Sequence, residues 1–286
     1  MPTVGILHSG TSGRHNTHIK ALTNNIKKTK VKILATLYGD HDPNTIQNHV
    51  ANLIKQKVDV LVAAGGSACA EEAKKQTAGK NINVVFTSVS DSFIPGPNMT
   101  GIYAHTVESD ATRLRLLHEA LPGETTFGVL VASRPSPSNL SGVAANLGLT
   151  LDPPKDVTGG DKKTFDAAFK DWKQRGINAV VVAANPFFNA NRKDVVKAAT
   201  ANGISAIYQW REFVEEGGLM SYGTNLIEAY ELAGICVDGI LSGAAIQDLP
   251  PVWQTHFELV INQGTAKKLH VKFPRTLRAR VDKVIK

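Results

Sequence analysis

Short continuous apolar runs alternate along this chain with stretches whose apolar residues recur at helical spacing. That alternation limits the fold more than any other feature. Thr3 to Ser9, Val31 to Tyr38, Val58 to Ala64 and Val84 to Thr87 read as strands. The third is apolar on both faces, as strands of a covered parallel sheet are. Between them lie helix patterns, with Ile19, Leu22 and Ile26 in the first and Ile46, Val50, Leu53 and Ile54 in the second. Asp42-Pro43 supplies a cap and a first-turn residue, and Gly65-Gly66-Ser67 opens the next helix. This order predicts a doubly wound α/β sheet with helices on both faces.

The pattern then restarts. A helix is expected over Glu108 to Leu121, a strand over Phe127 to Ala132, and a helix after Pro135-Ser136-Pro137. Strand-like Leu149 and Leu151 follow, then a helix from Thr164 to Arg175, a strand from Ala179 to Ala183, a helix from Asn189 to Asn202 and a strand from Ile204 to Tyr208. No sequence repeat is visible, but the element order recurs. The expectation is an α/β protein of two doubly wound, Rossmann-like lobes, with a small-molecule site in the cleft between them. The end departs from the alternation. It reads as a helix over Asn225 to Leu241, a strand over Phe257 to Ile261, a short helix over Thr265 to Leu269, and a last basic helix from Pro274 with Leu277, Val281 and Val284 on one face.

Composition narrows the class. The 286 residues allow two domains, and 42% apolar with 20% charged is ordinary for a globular protein. No window approaches ~18 consecutive apolar residues, so no membrane-spanning helix is expected. Met1-Pro2-Thr3 runs straight into Val4 to Leu7 without a signal-peptide pattern. That fits either a cytosolic protein or a mature form whose leader is replaced by Met. The net charge of +7 is scattered, with enrichment at Lys27-Lys28, Lys74-Lys75, Lys162-Lys163 and the C-terminal tail. The first three read as solvated helix faces. No zinc-finger spacing or RNA-binding aromatic box accompanies them, so no nucleic-acid partner is expected. Cys69 and Cys236 make no disulfide framework and read as buried small hydrophobes.

Polar, helix-starting residues follow the strands. His8-Ser9-Gly10-Thr11-Ser12-Gly13-Arg14 follows the first, Gly65-Gly66-Ser67-Ala68 the third and Ser88-Val89-Ser90-Asp91 the fourth. In the second half Ser133-Arg134, Asn185-Pro186-Phe187 and Trp210-Arg211-Glu212 hold matching places. Ligands of parallel α/β sheets gather at such ends. The candidate ligand-binding residues are Ser9, Ser12, Gly66, Ser67, Ala68, Ser88 and Asp91, then Asn185, Phe187, Trp210, Arg211 and Glu212. Ser67 either caps its helix or leaves the terminal N–H groups to a carboxylate or phosphate. Phe187 and Phe188 read equally as core or as stacking surface. Arg211 reads as a solvated rim or as a carboxylate partner.

No reaction motif appears. Gly65-Gly66-Ser67 lacks the Gly-Lys-Ser/Thr of a phosphate loop, the first loop lacks Gly-x-Gly-x-x-Gly, and Cys69 spoils a Gly-x-Ser-x-Gly elbow. His15 and His18 share a helical face. Without a carboxylate or cysteine set, His8, His15 and His18 are expected to be solvent-exposed, with no metal. Asp91 and Glu212 fit either an acid/base pair or acceptors for a ligand ammonium. No nucleophile accompanies them, so binding is the expected role, with no catalytic residue and no cofactor. Gly223 is expected to act as a hinge.

Several stretches resemble one family. Phe257-Glu258-Leu259-Val260-Ile261-Asn262-Gln263-Gly264-Thr265-Ala266-Lys267-Lys268-Leu269, then Pro274-Arg275-Thr276-Leu277-Arg278-Ala279-Arg280, closely resembles the C-terminal signature of the ABC-transporter substrate-binding proteins of the tryptophan/tyrosine-binding type. Glu212 to Gly223, Val58 to Val62 and Val85 to Asp91 are also similar to that family. The resemblance implies the type I periplasmic-binding-protein fold, two lobes joined by a three-segment hinge. It implies a first lobe of residues 1–105 plus 224–252 and a second of 106–223 plus 253–286. It further implies an exported, periplasmic receptor, monomeric, that hands a small solute to an ABC permease in the membrane. By position, Ser67 and Ala68 would meet a solute carboxylate, Asp91 an amine, and Glu212 the opposite side. The family often has Thr-Pro or Ala-Thr where this chain has Gly65-Gly66-Ser67, and Asp-Asn where it has Asn185-Pro186. Phe187, Tyr208, Trp210 and Arg211 then suggest a flat or carboxylate-bearing solute. The alternatives are a ligand-sensing regulatory module of the same fold and an enzyme using Asp91 or Glu212 as acid/base.

Overall fold

A computed structural model describes residues 1–13, 15–27, 30–90, 92–104, 107–132 and 140–286, with the side chains of 107 and 108 left aside. In chain order the elements are β1 (Thr3–His8), α1 (Asn16–Asn24), β2 (Lys32–Tyr38), α2 (Pro43–Lys55), β3 (Val60–Ala64), α3 (Ser67–Thr77), β4 (Asn83–Val89) and β5 (Met99–Tyr103). Next come α4 (Val107–Ala120), β6 (Thr126–Val131), α5 (Leu140–Asn146), β7 (Thr150–Leu151), β8 (Lys155–Asp156), α6 (Lys162–Gln174), β9 (Ala179–Val182), α7 (Pro186–Ala190), α8 (Arg192–Ala201), β10 (Ser205–Tyr208) and α9 (Arg211–Glu215). The remainder is β11 (Met220–Thr224), α10 (Leu226–Leu241), a 3₁₀ turn at Ile246–Asp248, β12 (Val252–Trp253), β13 (Phe257–Asn262), α11 (Gln263–Lys268), α12 (Arg275–Arg278) and β14 (Lys283–Ile285).

The chain divides into two compact units. Unit 1 is Met1–His105 with Leu226–Thr255, and unit 2 is Thr106–Asn225 with His256–Lys286. The chain therefore passes from one to the other three times.

Unit 1 is a parallel sheet of order β12-β5-β4-β3-β1-β2. Its strands are apolar throughout because both faces are covered. Val4, Ile6, Val60 and Val62 pack under α1 and α10, while Leu7, Leu61, Val84 and Phe86 pack under α2 and α3. Burying each such side chain contributes roughly 1.5–3 kcal/mol. Asp42 caps α2 by accepting from the Thr45 N–H at 2.7 Å. Gly234 of α10 lies against the Leu22 carbonyl of α1, a contact that leaves no room for a Cβ.

Unit 2 has the order β14-β13-β11-β10-β9-β6-β7, with β8 also on β6. Here β13 runs antiparallel to β11, and β14 runs parallel to β13. The chain end thus reverses direction across the edge of an otherwise parallel sheet. α4 covers one face, and Arg113 on it is wholly buried. Its guanidinium donates to Asp110 and, at 2.9 Å, to the Tyr222 carbonyl of β11. Burial pushes the Asp110 carboxyl above its ordinary range, and the Arg113 charge and hydrogen bond and the Ala184 backbone N–H pull the other way.

Several expectations need correction. The last basic helix is only one turn long, and Val284 lies in β14. The Asp282 carboxylate accepts from the Leu259 N–H at 2.7 Å, which turns the β-branched tail into a strand along β13. The helix expected over Asn189 to Asn202 is two helices meeting at Asn191. Gly223, expected as a hinge, lies in β11 inside the sheet of unit 2, two residues before Asn225, where the chain passes to unit 1. Gly223 pairs with Glu258, and a Cβ there would strike the Gln209 carbonyl. The need for glycine is steric, since its φ is not positive. Lys27 falls beyond the end of α1, and Lys28 lies outside the described residues.

Removing one member of a buried ion pair strands the other. Arg113→Met should lower stability in urea by about 3–5 kcal/mol. Asp110→Asn combined with Arg113→Met should recover part of that loss. A single variant within ~1 kcal/mol of the parent would show that the pair does not hold α4 in place.

Candidate functional site

The strand ends of unit 1 form a tight glycine-dependent turn. The Ser9 hydroxyl donates to the Gly65 carbonyl at 2.5 Å. Gly65 and Gly66 have φ of 84° and 110°, a region that glycine enters freely. A Cβ on Gly65 would stand 2.6 Å from Ser9 Oγ and 2.8 Å from His8 Cε1, so bulk as well as conformation excludes other residues. Gly66 is the N-cap of α3, with no side-chain cap bond. Ser67 therefore does not cap the helix. It is the first helical residue, and its hydroxyl accepts from the Ser90 N–H at 3.1 Å. Its first-turn neighbour Ala68 is exposed, as is Ser12 in the turn after β1. Ser88 adopts φ 60° at a register shift between Thr87 and Val89. Left-handed backbone at a non-glycine residue costs of order 1 kcal/mol and gathers at functional sites. Asp91 lies outside the described residues, as do Arg14, Ser133 and Arg134.

The histidines overturn the expectation of exposure. His8, His15 and His18 are 3%, 4% and 7% exposed. The His8 and His15 rings stack at 3.9 Å, His18 lies 5.8 Å from His15, and Tyr230 of α10 closes the stack 5.1 Å from His18. His8 Nδ1 accepts from the Gly10 N–H at 2.9 Å. Burial holds His8 well below the ordinary histidine range, and His15, His18 and His41 add to the effect. No group of three metal-binding side chains occurs among the described residues. Cys69 is buried and Cys236 partly so.

Unit 2 presents a different surface at its strand ends. Asn185 follows β9 and caps α7, accepting from the Phe187 N–H at 2.8 Å. Its amide also donates to the Ala132 carbonyl at 2.5 Å, tying the ends of β9 and β6 together. Phe187 is half-buried against Phe165 and Phe188, and Phe188 is core. Trp210, at the end of β10, is 6% exposed, and its indole N–H has no hydrogen-bond acceptor among the described residues. Arg211 bonds Glu258 at 3.3 Å. Burial raises the Glu258 carboxyl, the Arg211 cation opposes that, and the nearby Glu212 adds to it. Arg211 is thus already paired, with a second carboxylate close to its partner. Gln209 Oε1, Ser221 Oγ and Thr224 Oγ1 are also buried without partners among the described residues. A buried polar atom left unpaired costs about 1–3 kcal/mol. Four of them near the ends of β10 and β11 call for a polar guest.

The model of the family described as ABC transporter substrate binding protein matches residues 6–285. The chain belongs to that family. Its members bind small solutes and deliver them to membrane ABC permeases, and they are typically extracytoplasmic. Among solved structures, the ABC domain from Streptococcus pneumoniae in complex with L-Trp is 19% identical, with 99% of each chain covered and a TM-score of 0.85. A conserved domain protein from Vibrio cholerae gives 19% identity, 99% of each chain and 0.83. A 5-methylthioribose transporter solute-binding protein from Thermotoga lettingae gives 15%, 97% of this chain, 95% of the other and 0.68. Comparison with curated proteins gives no match. The fold is that of the type I periplasmic binding proteins. Among the described residues no helix is long and apolar enough to cross a membrane.

Sequence reasoning missed Glu258, Asp110 and Arg113.

His8 predicts a pH effect. A histidine with a depressed folded-state pKa is protonated more readily in the unfolded chain. Its contribution is therefore complete above about pH 6.5 and declines as pH falls below that value. Thermal stability should fall between neutral pH and mild acid, with a limiting slope near 1.4 kcal/mol per pH unit for this group. His8→Asn, which keeps an acceptor for Gly10, should flatten the profile. Equal slopes in both proteins would remove His8 as the cause.

Proposed function

We propose that this chain is the solute receptor of an ABC importer, for an amino acid or another aromatic or carboxylate-bearing solute. The observation that carries this reading is the buried indole N–H of Trp210, unpaired among the described residues and next in sequence to Arg211. An aromatic body with one donor suits a flat solute that offers an acceptor. In unit 1, the first turn of α3 has no side-chain cap, and its N–H groups at Ser67 and Ala68 suit a carboxylate. Asp91 would take a solute ammonium, while Ser9, Ser12, Gly66 and Ser88 shape the surrounding turn. Asn185 and Phe187 would supply an edge and a ring face.

Solute contacting both units would favour a closed state, and closure itself would be the signal read by the permease. No chemical step is required, and no catalytic role is assigned. The reading includes an exported, periplasmic location and a monomeric state. The relative crystallised with L-Trp makes that amino acid the first probe.

Calorimetry against L-Trp, other amino acids, aromatic acids and nucleosides should reveal one solute class. Trp210→Phe keeps the ring but deletes the donor, and it should weaken binding by about 1–2 kcal/mol, roughly tenfold. Small-angle scattering should show compaction on saturation. If no solute in the panel binds, or Trp210→Phe binds equally well, the assignment of the site fails.

A further inference from the structure

The charge excess of the whole chain sits in one segment. Residues 263–286 contain eight Lys or Arg against a single Asp, a surplus of seven, and the formal charge of the chain is +7. Residues 1–262 are therefore balanced. All eight cations are exposed. Arg280 pairs with Glu119, and Lys283 pairs with Glu215 at 3.1 Å. Lys267, Lys268, Lys272, Arg275, Arg278 and Lys286 have no acidic partner among the described residues.

The segment also borders an open groove of about 600 Å³, lined by Lys267, His270, Lys272 and Arg278 together with Val271 and Phe273. Its wall is fixed by the end of α11. His270 takes φ 56°, the Val271 N–H donates to the Ala266 carbonyl at 2.8 Å, and the His270 N–H donates to Lys267 at 3.2 Å. This paired closure usually uses glycine in the left-handed position. It turns Val271 and Phe273 towards the core of unit 2 and leaves Lys272 outside. Val284, 44% exposed, lies between Lys283 and Lys286.

We propose that this edge of unit 2 rests on an anionic phospholipid surface, with one headgroup held by Lys267, Lys272 and Arg278 and its glycerol and upper chain carbons against Val271 and Phe273. A solvated acidic protein segment would need only the cations. The apolar floor directly beneath them matches an amphiphile whose charge adjoins an apolar body, and exposed Val284 beside two lysines extends the same chemistry. Polybasic surfaces gain attraction with each Lys or Arg near an anionic leaflet. The family delivers solutes to permeases embedded in a membrane. The proposal rests on that membrane setting and is independent of which solute is bound.

Sedimentation of the full chain with vesicles tests it. Phosphatidylcholine vesicles containing phosphatidylglycerol should bind the protein, and pure phosphatidylcholine should not. Binding should vanish near 1 M salt, where screening acts within about 3 Å. K267Q/K272Q/R278Q should lower partitioning roughly a hundredfold. K55Q/K170Q/K197Q changes net charge equally at other exposed sites and should change it less than about threefold. Short-chain phosphatidylglycerol should compete, and inorganic phosphate should not. Equal losses in both triple variants would reduce the effect to net charge and overturn the proposal. Equal competition by phosphate would overturn the lipid. Binding to poly-glutamate without binding to the anionic vesicles would point to an acidic protein partner instead.

Discussion

A guanidinium wholly withdrawn from water organises unit 2. Arg113 on α4 satisfies its charge with Asp110 and gives a hydrogen bond to the Tyr222 carbonyl. Asp110 takes the Ala184 N–H in return. One helix is thus fixed to the exit of β9 and to the middle of β11 at the same time. Withdrawing such ions from water costs several kcal/mol each, which only good geometry offsets. The arrangement tolerates few alternatives, and so it fixes where Asn185 leaves β9. The same strictness recurs at Gly223, where β11 comes so close to Gln209 that no side chain fits. Trp210 and Arg211 emerge directly beside that contact.

Unit 1 reaches comparable order through a buried cluster of rings. His8, His15, His18 and Tyr230 stack in a water-excluded cluster whose central member is held neutral by burial. Ser9 and His8 fill the space a side chain on Gly65 would need, so the first loop and the α3 turn fit each other. A neutral His8, packed against Gly65, puts no cation at the entry to α3. In unit 2 the opposite holds, because Arg211 is already paired with Glu258, near Glu212. The two sets of strand ends therefore offer different chemistry, one of backbone donors and hydroxyls, the other of rings and paired charges.

The sequence announced the architecture wherever a strand was long and apolar on both faces, as at Val60–Ala64. It concealed β5, because Gly101 interrupts the apolar run where the backbone passes against the Phe86 carbonyl. It concealed β8, β12 and β14, which are too short for periodicity to register. The histidines were misread for a tertiary reason. Their cover is Tyr230, which lies more than two hundred positions along the chain in α10 and no local pattern links to them. Among the candidates, polar type at a strand end was visible, but engagement was not. Asn185 serves as cap and bridge, Ser67 accepts from Ser90, and Arg211 is paired across the sheet. Trp210 keeps an unused donor that only burial could reveal.

The reversed tail separates two kinds of electrostatics within unit 2. β13 begins opposite Thr224, at the strand ends that carry Trp210 and Arg211, and its Ile261 lies opposite Met220 at the other end of β11. The five residues of β11 span about 16 Å. Screening in physiological salt acts within about 8 Å. Lys267 and Lys268 of α11, beyond Ile261, are therefore largely screened from Glu258, whereas Lys283 of β14 acts on that carboxylate from close by. A chain that carried its whole surplus charge beside the strand-end carboxylates would depress their pKa values and attract any anion indiscriminately. Placing Lys267 and Lys268 at the far end of β13 leaves the strand ends governed by Arg211, Glu212 and the single nearby Lys283, and leaves the far edge to act through cations and the apolar residues between them.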